Sequence, residues 1–302
     1  MMRKTVRFYE LRAVKRTSNG EEIVTVGNDF WQKMGERVRD MTPQARQIQI
    51  RGRTTHGESR VGKQPAVPYF YVAGVRERAE WPDGLSSNTG VVGDLQPQDR
   101  NMVLIDPTYI VPFGTTNQVA VLTMSLNSPR VTTLESWFSA VMKPGAIVAN
   151  YMLQPVINAH VAARLNEASG ATVFRVKVSQ DGDIPEAGGG GIGEAARHAK
   201  SVSREVDIEL GWTLGHRTGH EDTKQTLLEG ARWVREDFVT SATVSLEIPE
   251  NDKLKRRQYD LIRSHFTAAE KFDIKPDEKP SEVAVLTGIN RAIESFNKEF
   301  RN

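Results

Sequence analysis

Apolar residues along this chain recur with a period of two in some stretches and near 3.6 in others, which separates predicted strands from predicted helices. Thr5 to Val14 sets Val6 and Phe8 against Arg7 and Tyr9, an opening strand with one wet face. A helix follows near Asn28, where Asn28 and Asp29 can cap and Phe30, Trp31, Met34 and Val38 fall at helical spacing. Ile48 and Ile50 predict a short strand before a polar loop from Arg51 to Gln64. Ala66 to Val75, rich in aromatic and β-branched residues, predicts a buried strand. Turn formers fill Glu80 to Arg100, a long surface excursion. Strands are expected over Met102 to Ile105 and Val119 to Leu126, then a short helix from Thr133 to Val141 that stops before Pro144-Gly145.

Past that point the pattern becomes regular. Ala146 to Leu153 predicts a strand, Val156 to Leu165 a helix, Thr172 to Val178 a strand, and Ile192 to Lys200 a helix after a glycine-rich turn. Val206, Ile208, Leu210, Trp212 and Leu214 alternate with Asp207 and Glu209 in the clearest strand. The helix Thr223 to Arg235 and a strand from Phe238 to Ile248 follow. Two further helices are expected, Asp252 to Phe266 and Ser281 to Phe300. Strands alternating with helices predict an α/β fold with mixed, partly parallel sheets and crossover helices in two parts, plus a C-terminal helical segment. The expected divisions are an N-terminal α/β domain over 1–144, a second over 145–250, and C-terminal helices over 251–302. In the last helix Leu286, Ile289, Ile293, Phe296 and Phe300 form a narrow apolar seam, which packs on its own domain or joins two copies as a homodimer.

The 302 residues contain no cysteine, which excludes disulfide frameworks, thiolate zinc sites and thiol catalysis. The longest apolar run, Tyr69 to Ala73, is far short of a membrane span. The charged start enters a strand pattern rather than an apolar signal core, so the expectation is mature, cytoplasmic protein. A net charge of +2 hides an asymmetry: residues 1–80 hold 16 Lys and Arg against 9 Asp and Glu. Such a front-loaded cationic field suits a polyanionic partner, or is an ordinary solvated face.

Candidate chemistry is thin. Gly188 to Gly193 satisfies a dinucleotide-binding pattern trivially and reads as linker, since the preceding strand ends near Val178 and Asp181, Asp183 and Glu186 would repel a pyrophosphate. His216 and His220 sit among Gly215, Thr218 and Gly219, a solvated turn rather than a metal face. His160 falls inside a helix pattern, as a packed or surface residue. Asp207 and Glu209 share a strand face, as the Mg²⁺ ligands of a nuclease would, but position 211, where a companion lysine belongs, is Gly211. No phosphate-binding G-x-x-x-x-G-K-[ST] loop or G-x-S-x-G elbow is present, so no cofactor is expected.

The strongest signal is basic. Lys253, Lys255, Arg256, Arg257 and Arg263 are placed on the expected penultimate helix, and Arg46, Arg51, Arg53, Arg60 and Lys63 on a strand and polar loop. Lys and Arg at irregular spacing neutralise phosphates without reading bases. From Val119 onward the order of elements resembles the RexA-like phage-exclusion family. Asn127-Ser128-Pro129-Arg130-Val131-Thr132-Thr133-Leu134-Glu135-Ser136-Trp137-Phe138 is similar to that family's approach to a short helix. Met152-Leu153-Gln154-Pro155, the helix after it, and Gly170 to Val178 are similar to its strand-helix-strand pattern, as is Val244-Ser245-Leu246 before a basic segment and a terminal helix. The resemblance implies a homodimer that binds double-stranded DNA non-specifically and acts in phage exclusion with a small multi-span, RexB-like membrane partner. A Mg²⁺-dependent nucleic-acid-processing enzyme and a structural phage protein are the alternatives.

Overall fold

The computed structural model describes residues 2–17, 20–85, 92–94, 102–114, 117–143, 148–179, 184, 190–202, 207–214, 221–234, 238–250, 253–274 and 278–300. The first half contains β1 (Met2–Thr17), β2 (Gly20–Thr25), α1 (Phe30–Asp40), β3 (Gln47–Ile50), β4 (Arg53–Val61), β5 (Pro68–Val75), β6 (Asp83–Leu85), β7 (Val92–Asp94), β8 (Ile105–Phe113), β9 (Gln118–Thr123) and α2 (Val131–Met142). The second half contains β10 (Val148–Pro155), α3 (Ala159–Glu167), β11 (Gly170–Val178), α4 (Gly190–Val202), β12 (Ile208–Thr213), α5 (Glu221–Trp233), β13 (Val239–Glu250), β14 (Lys253–Asp260), β15 (Thr267–Phe272) and α6 (Glu282–Phe300). The α/β class and the C-terminal helix are as expected. The pairing is not partly parallel: every strand pair among the described residues is antiparallel.

The larger sheet runs β10-β1-β9-β8-β5-β4-β3, with β15 and β2 also on β1. The 16-residue β1 is paired along both edges: β15 meets Met2 to Arg7 and β10 meets Tyr9 to Lys15, while β9 meets Arg7 to Glu10 and β2 meets Arg12 to Thr17. One face of this sheet carries α1 and α2, which bury Phe30, Met34, Val38, Leu134, Trp137 and Phe138 against Leu11, Phe70, Val72 and Ile110. Gly57 makes the close approach possible, because a side chain there would overlap the Trp137 ring. The other face carries α6.

That contact decides the seam. Leu286, Ile289, Ile293 and Phe296 are all buried against Val6, Phe8, Tyr69 and Phe272 of the same chain, and the Phe8 and Phe296 rings stack at 4.7 Å. Tyr69 Oη donates to Glu282 Oε2 at 2.7 Å and fixes the start of α6 on β5. The α6 seam therefore braces its own sheet, the first of the two expected arrangements. The side chain of Phe300 lies outside the described residues.

The expected boundaries at 144/145 and 250/251 are also corrected. β10 and β15 both belong to the large sheet, and the chain between them forms a separate unit whose core draws only on residues from Ile157 to Ile262. Its two ends lie side by side: Ile157 bridges His265, Asn158 N–H donates to Ser264 O at 2.8 Å, and Phe266 N–H to Val156 O at 2.8 Å. The second unit is an insertion between two neighbours on β1. Its sheet runs β12-β11-β13-β14, and α5 joins two strands that both flank β11, a crossover of the expected kind.

Several elements differ from expectation: the strand expected over Met102 to Ile105 is displaced to β8, and the excursion over Glu80 to Arg100 contains β6 and β7. The polar loop over Arg51 to Gln64 contains β4, whose inward positions Thr55, Gly57 and Ser59 are small and polar because helices press close there. The helix expected over Asp252 to Phe266 is instead β14 followed by turns, with Lys253 to Gln258 all exposed. An edge strand with both faces wet has no apolar alternation to betray it. Among the described residues no helix is long and apolar enough to cross a membrane.

Burial of the seam makes a prediction about stability. Phe296→Ala should lower unfolding stability by about 3–5 kcal/mol, measured by urea denaturation, while the folded fraction keeps its wild-type mass in size-exclusion chromatography with light scattering.

Candidate nucleic-acid interface

The ten predicted basic residues do not form one surface. Arg46 is spent on α1: Nε donates to Met41 O and Nη2 to Arg39 O, both at 3.0 Å, neutralising carbonyls at the helix C-terminus. Arg60 Nε donates to Glu58 Oε2 at 2.6 Å and its guanidinium lies 4.3 Å from the Tyr71 ring centre. Lys63, exposed beyond β4, is separated from Arg53 by the whole length of that strand, roughly 26 Å.

The segment containing β14 holds the other set. Strand geometry places Lys253, Lys255 and Arg257 on one side and Arg256 on the other, where its Nε meets buried Glu247 at 3.3 Å. Glu247 also faces Lys224 Nζ at 3.0 Å, so Arg256 belongs to a structural charge cluster. Arg263 lies in the turn after β14, 3.4 Å from Asp260.

Arg51 and Arg53 converge with two arginines outside the expected basic sets, Arg76 and Arg130. The β3–β4 hairpin turns on Arg51 and Gly52, at φ 50° and 81°, which swings Arg51 and Arg53 to the sheet end where α2 begins. There a cleft of about 410 Å³ is lined by Arg51, Arg53, Arg76 and Arg130, with Thr55 and Thr133 among the polar groups. Among the described residues the acids on its wall are Glu80, 2.7 Å from Arg53, and Asp106, so four guanidiniums stand against two carboxylates. Arg130 is the N-cap of α2 and makes no side-chain cap. The first-turn amides of a helix have no intrahelical acceptors and carry partial positive charge. Strand, hairpin and helix thus bring cationic groups to one concave place.

Asp106 organises this end of the sheet. Its carboxylate, 7% exposed, accepts a two-pronged bond from Arg76, at 2.5 Å from Nε and 2.9 Å from Nη2, and a third bond from Ser125 Oγ at 2.6 Å. The Arg76 bonds, ahead of the Ser125 bond, hold the Asp106 carboxyl below the usual aspartate range despite its burial. The loop after β9 is strapped around this hub. Ser128 Oγ donates to Pro107 O at 2.8 Å, Ser125 N–H to Ser128 Oγ at 3.0 Å, and Thr108 Oγ1 to Pro129 O at 3.0 Å. Across the loop lies a second cleft, about 340 Å³, between the large sheet and the inserted unit, lined by Arg7, Thr123, Arg130, Ser179 and Thr240 among others.

The remaining sequence candidates are dispersed. Asp207 is 3.0 Å from Lys177, and among the described residues no group of three or more His, Asp and Glu is close enough to hold a metal ion. His160 is exposed on α3. His216, His220, Gly188, Gly189, Asp181, Asp183 and Glu186 lie outside the described residues. Arg130 did carry a signal in sequence: a cation just before a helix runs against the helix dipole, so something other than helix stability places it there. No family model matches the chain, and no curated protein matches it.

The Asp106 hub has a pH signature. A depressed folded-state pKa contributes stability that is present above the unfolded value of about 3.9 and lost as pH falls through the lower folded value. Asp106→Asn should cost about 1.5–3 kcal/mol at pH 7 and give a shallower acid limb than wild type, read by thermal melting between pH 7 and pH 2.

Proposed function

We propose that this chain binds double-stranded DNA without sequence preference, seating backbone phosphates in the arginine-lined cleft at the start of α2, and that it serves phage exclusion as the RexA-like resemblance implies. The observation that carries the binding is the convergence of Arg51, Arg53, Arg76 and Arg130 on one concavity. Guanidiniums and helix-terminal amides are the donors that phosphate oxygens accept best. Arg76, whose fork could otherwise read a base edge, is already committed to Asp106. Contacts of this kind position a duplex without specifying its sequence.

The second basic surface is distinct. Lys253 pairs with Glu250 at the far end of the 12-residue β13 from Val239, which lines the inter-unit cleft, roughly 35 Å away along the strand. Charged residues on an edge strand also block edge-to-edge association, which is sufficient reason for Lys253, Lys255 and Arg257 to be there.

Fluorescence anisotropy with a labelled duplex at several salt concentrations separates the two surfaces. Each lost phosphate contact flattens the log–log salt slope by about 0.9, so the triple variant Arg51→Ala, Arg53→Ala, Arg130→Ala should lose about two to three units. Unrelated duplexes should bind equally well. Wild-type slope and affinity in that variant, with the loss appearing in Lys253→Ala, Lys255→Ala, Arg257→Ala, would move the interface to β14. Salt-independent binding would overturn the reading altogether.

A further inference from the structure

Between the two clefts stands Leu126, which lines both and is 95% exposed. Single exposed leucines are ordinary on protein surfaces. This one is unusual in how it is held. Ser128 N–H donates to Ser125 O at 3.3 Å, closing a turn with Leu126 and Asn127 at its centre. The turn is pinned on one side by Ser125 Oγ on Asp106, and on the other by Ser128 Oγ on Pro107 O. Lys4 Nζ adds a bond to Met124 O at 2.8 Å, and Asn127 N–H one to Ser125 Oγ at 3.2 Å. Turn centres favour Pro, Gly, Asn, Asp and Ser. Here a rigidly strapped turn presents a bare isobutyl group at its tip, with Arg130 on the shared wall, Arg51 and Arg53 in one cleft and Arg7 in the other.

We infer that Leu126 is a wedge that enters between stacked base pairs while the flanking arginines hold the phosphates on either side, so that binding kinks the duplex. The inference rests on the DNA-binding reading of the same clefts and adds to it a deformation of the ligand. Apolar wedges backed by cations work because the phosphate contacts offset the cost of unstacking one step, and they produce bends of about 20–90°. The wedge must be stiff, since a mobile loop would fold back rather than displace a base pair. The bonds that Ser125 and Ser128 donate to Asp106 and Pro107 supply that stiffness. Pyrimidine–purine steps unstack most easily. A TA step should therefore be bent most, without any hydrogen bond to its bases.

The test uses the full chain and a 20-base-pair duplex carrying a donor and acceptor at its ends and 2-aminopurine beside a central TA step. Wild-type protein should raise both energy transfer and 2-aminopurine emission. Leu126→Ala should abolish both signals while affinity falls by no more than about tenfold, because phosphate contacts supply most of the binding. Leu126→Phe should retain them. Thermal melting should be the same for all three proteins, as expected for a side chain so exposed. Wild-type binding with no bend, or a bend that persists in Leu126→Ala, would overturn the wedge and leave the phosphate-binding reading standing. Absence of duplex binding by wild type would overturn both. A change in oligomeric mass on Leu126→Ala, with the DNA signals unaltered, would assign the tip to a protein contact and also overturn it.

Discussion

Everything in the larger unit depends on the hydrogen bonding of β1 along both of its edges. A 16-residue strand has more backbone donors and acceptors than one neighbour can satisfy, and four separate strands divide the work. Unpaired backbone groups in a packed sheet are costly, so each of those four is held in register by its neighbour's need as much as by its own side chains. β9, fixed by β1, delivers the Ser125 loop to its place above Asp106. β10 and β15, fixed on the other edge, bring both ends of the inserted unit together, so that unit can fold around its own core without crossing the sheet.

At the cleft the same economy appears in charge. A buried carboxylate is tolerated only when its oxygens are bonded and its charge is met. Asp106 satisfies both requirements with one arginine and one serine, and in doing so fixes the shape of the loop that separates the two clefts. The polar groups that shape the loop are small: the Ser125 and Ser128 hydroxyls replace backbone partners that a longer side chain would crowd out. Rigidity at this site thus comes from one network, in which the Arg76 charge is met by Asp106.

Much of the fold was legible in the sequence wherever burial imposes a period. Thr172 to Val178, the alternation around Leu210 and Trp212, the helix of Leu227, Ala231 and Val234, and the α6 seam all coincide with real elements of the expected type. Strands that carry no apolar alternation are not legible. β4 turns small polar residues toward the helices, and β14 turns only Tyr259 toward a core. The seam's partner was equally unreadable, because a spacing of three and four is the same whether the facing surface belongs to the same chain or to another. The site is half visible in the sequence: Arg51 and Arg53 stand out in a basic stretch, but Arg76 and Arg130 join them only through pairings of strands and the placement of a helix.

The register of β1 also bears on synthesis. Met2 to Arg7 find their partners on β15, some 260 to 270 residues downstream. At about 5–20 residues per second of translation, that edge emerges roughly 15–50 s before the strand that covers it. A bare strand edge is a template for the wrong neighbour, and cations are one of the means by which proteins guard such edges. Arg3, Lys4 and Arg7 occupy half of those six positions. Cations at those positions suit an edge that stays bare during synthesis, so positive charge there has a use that does not depend on an anionic partner.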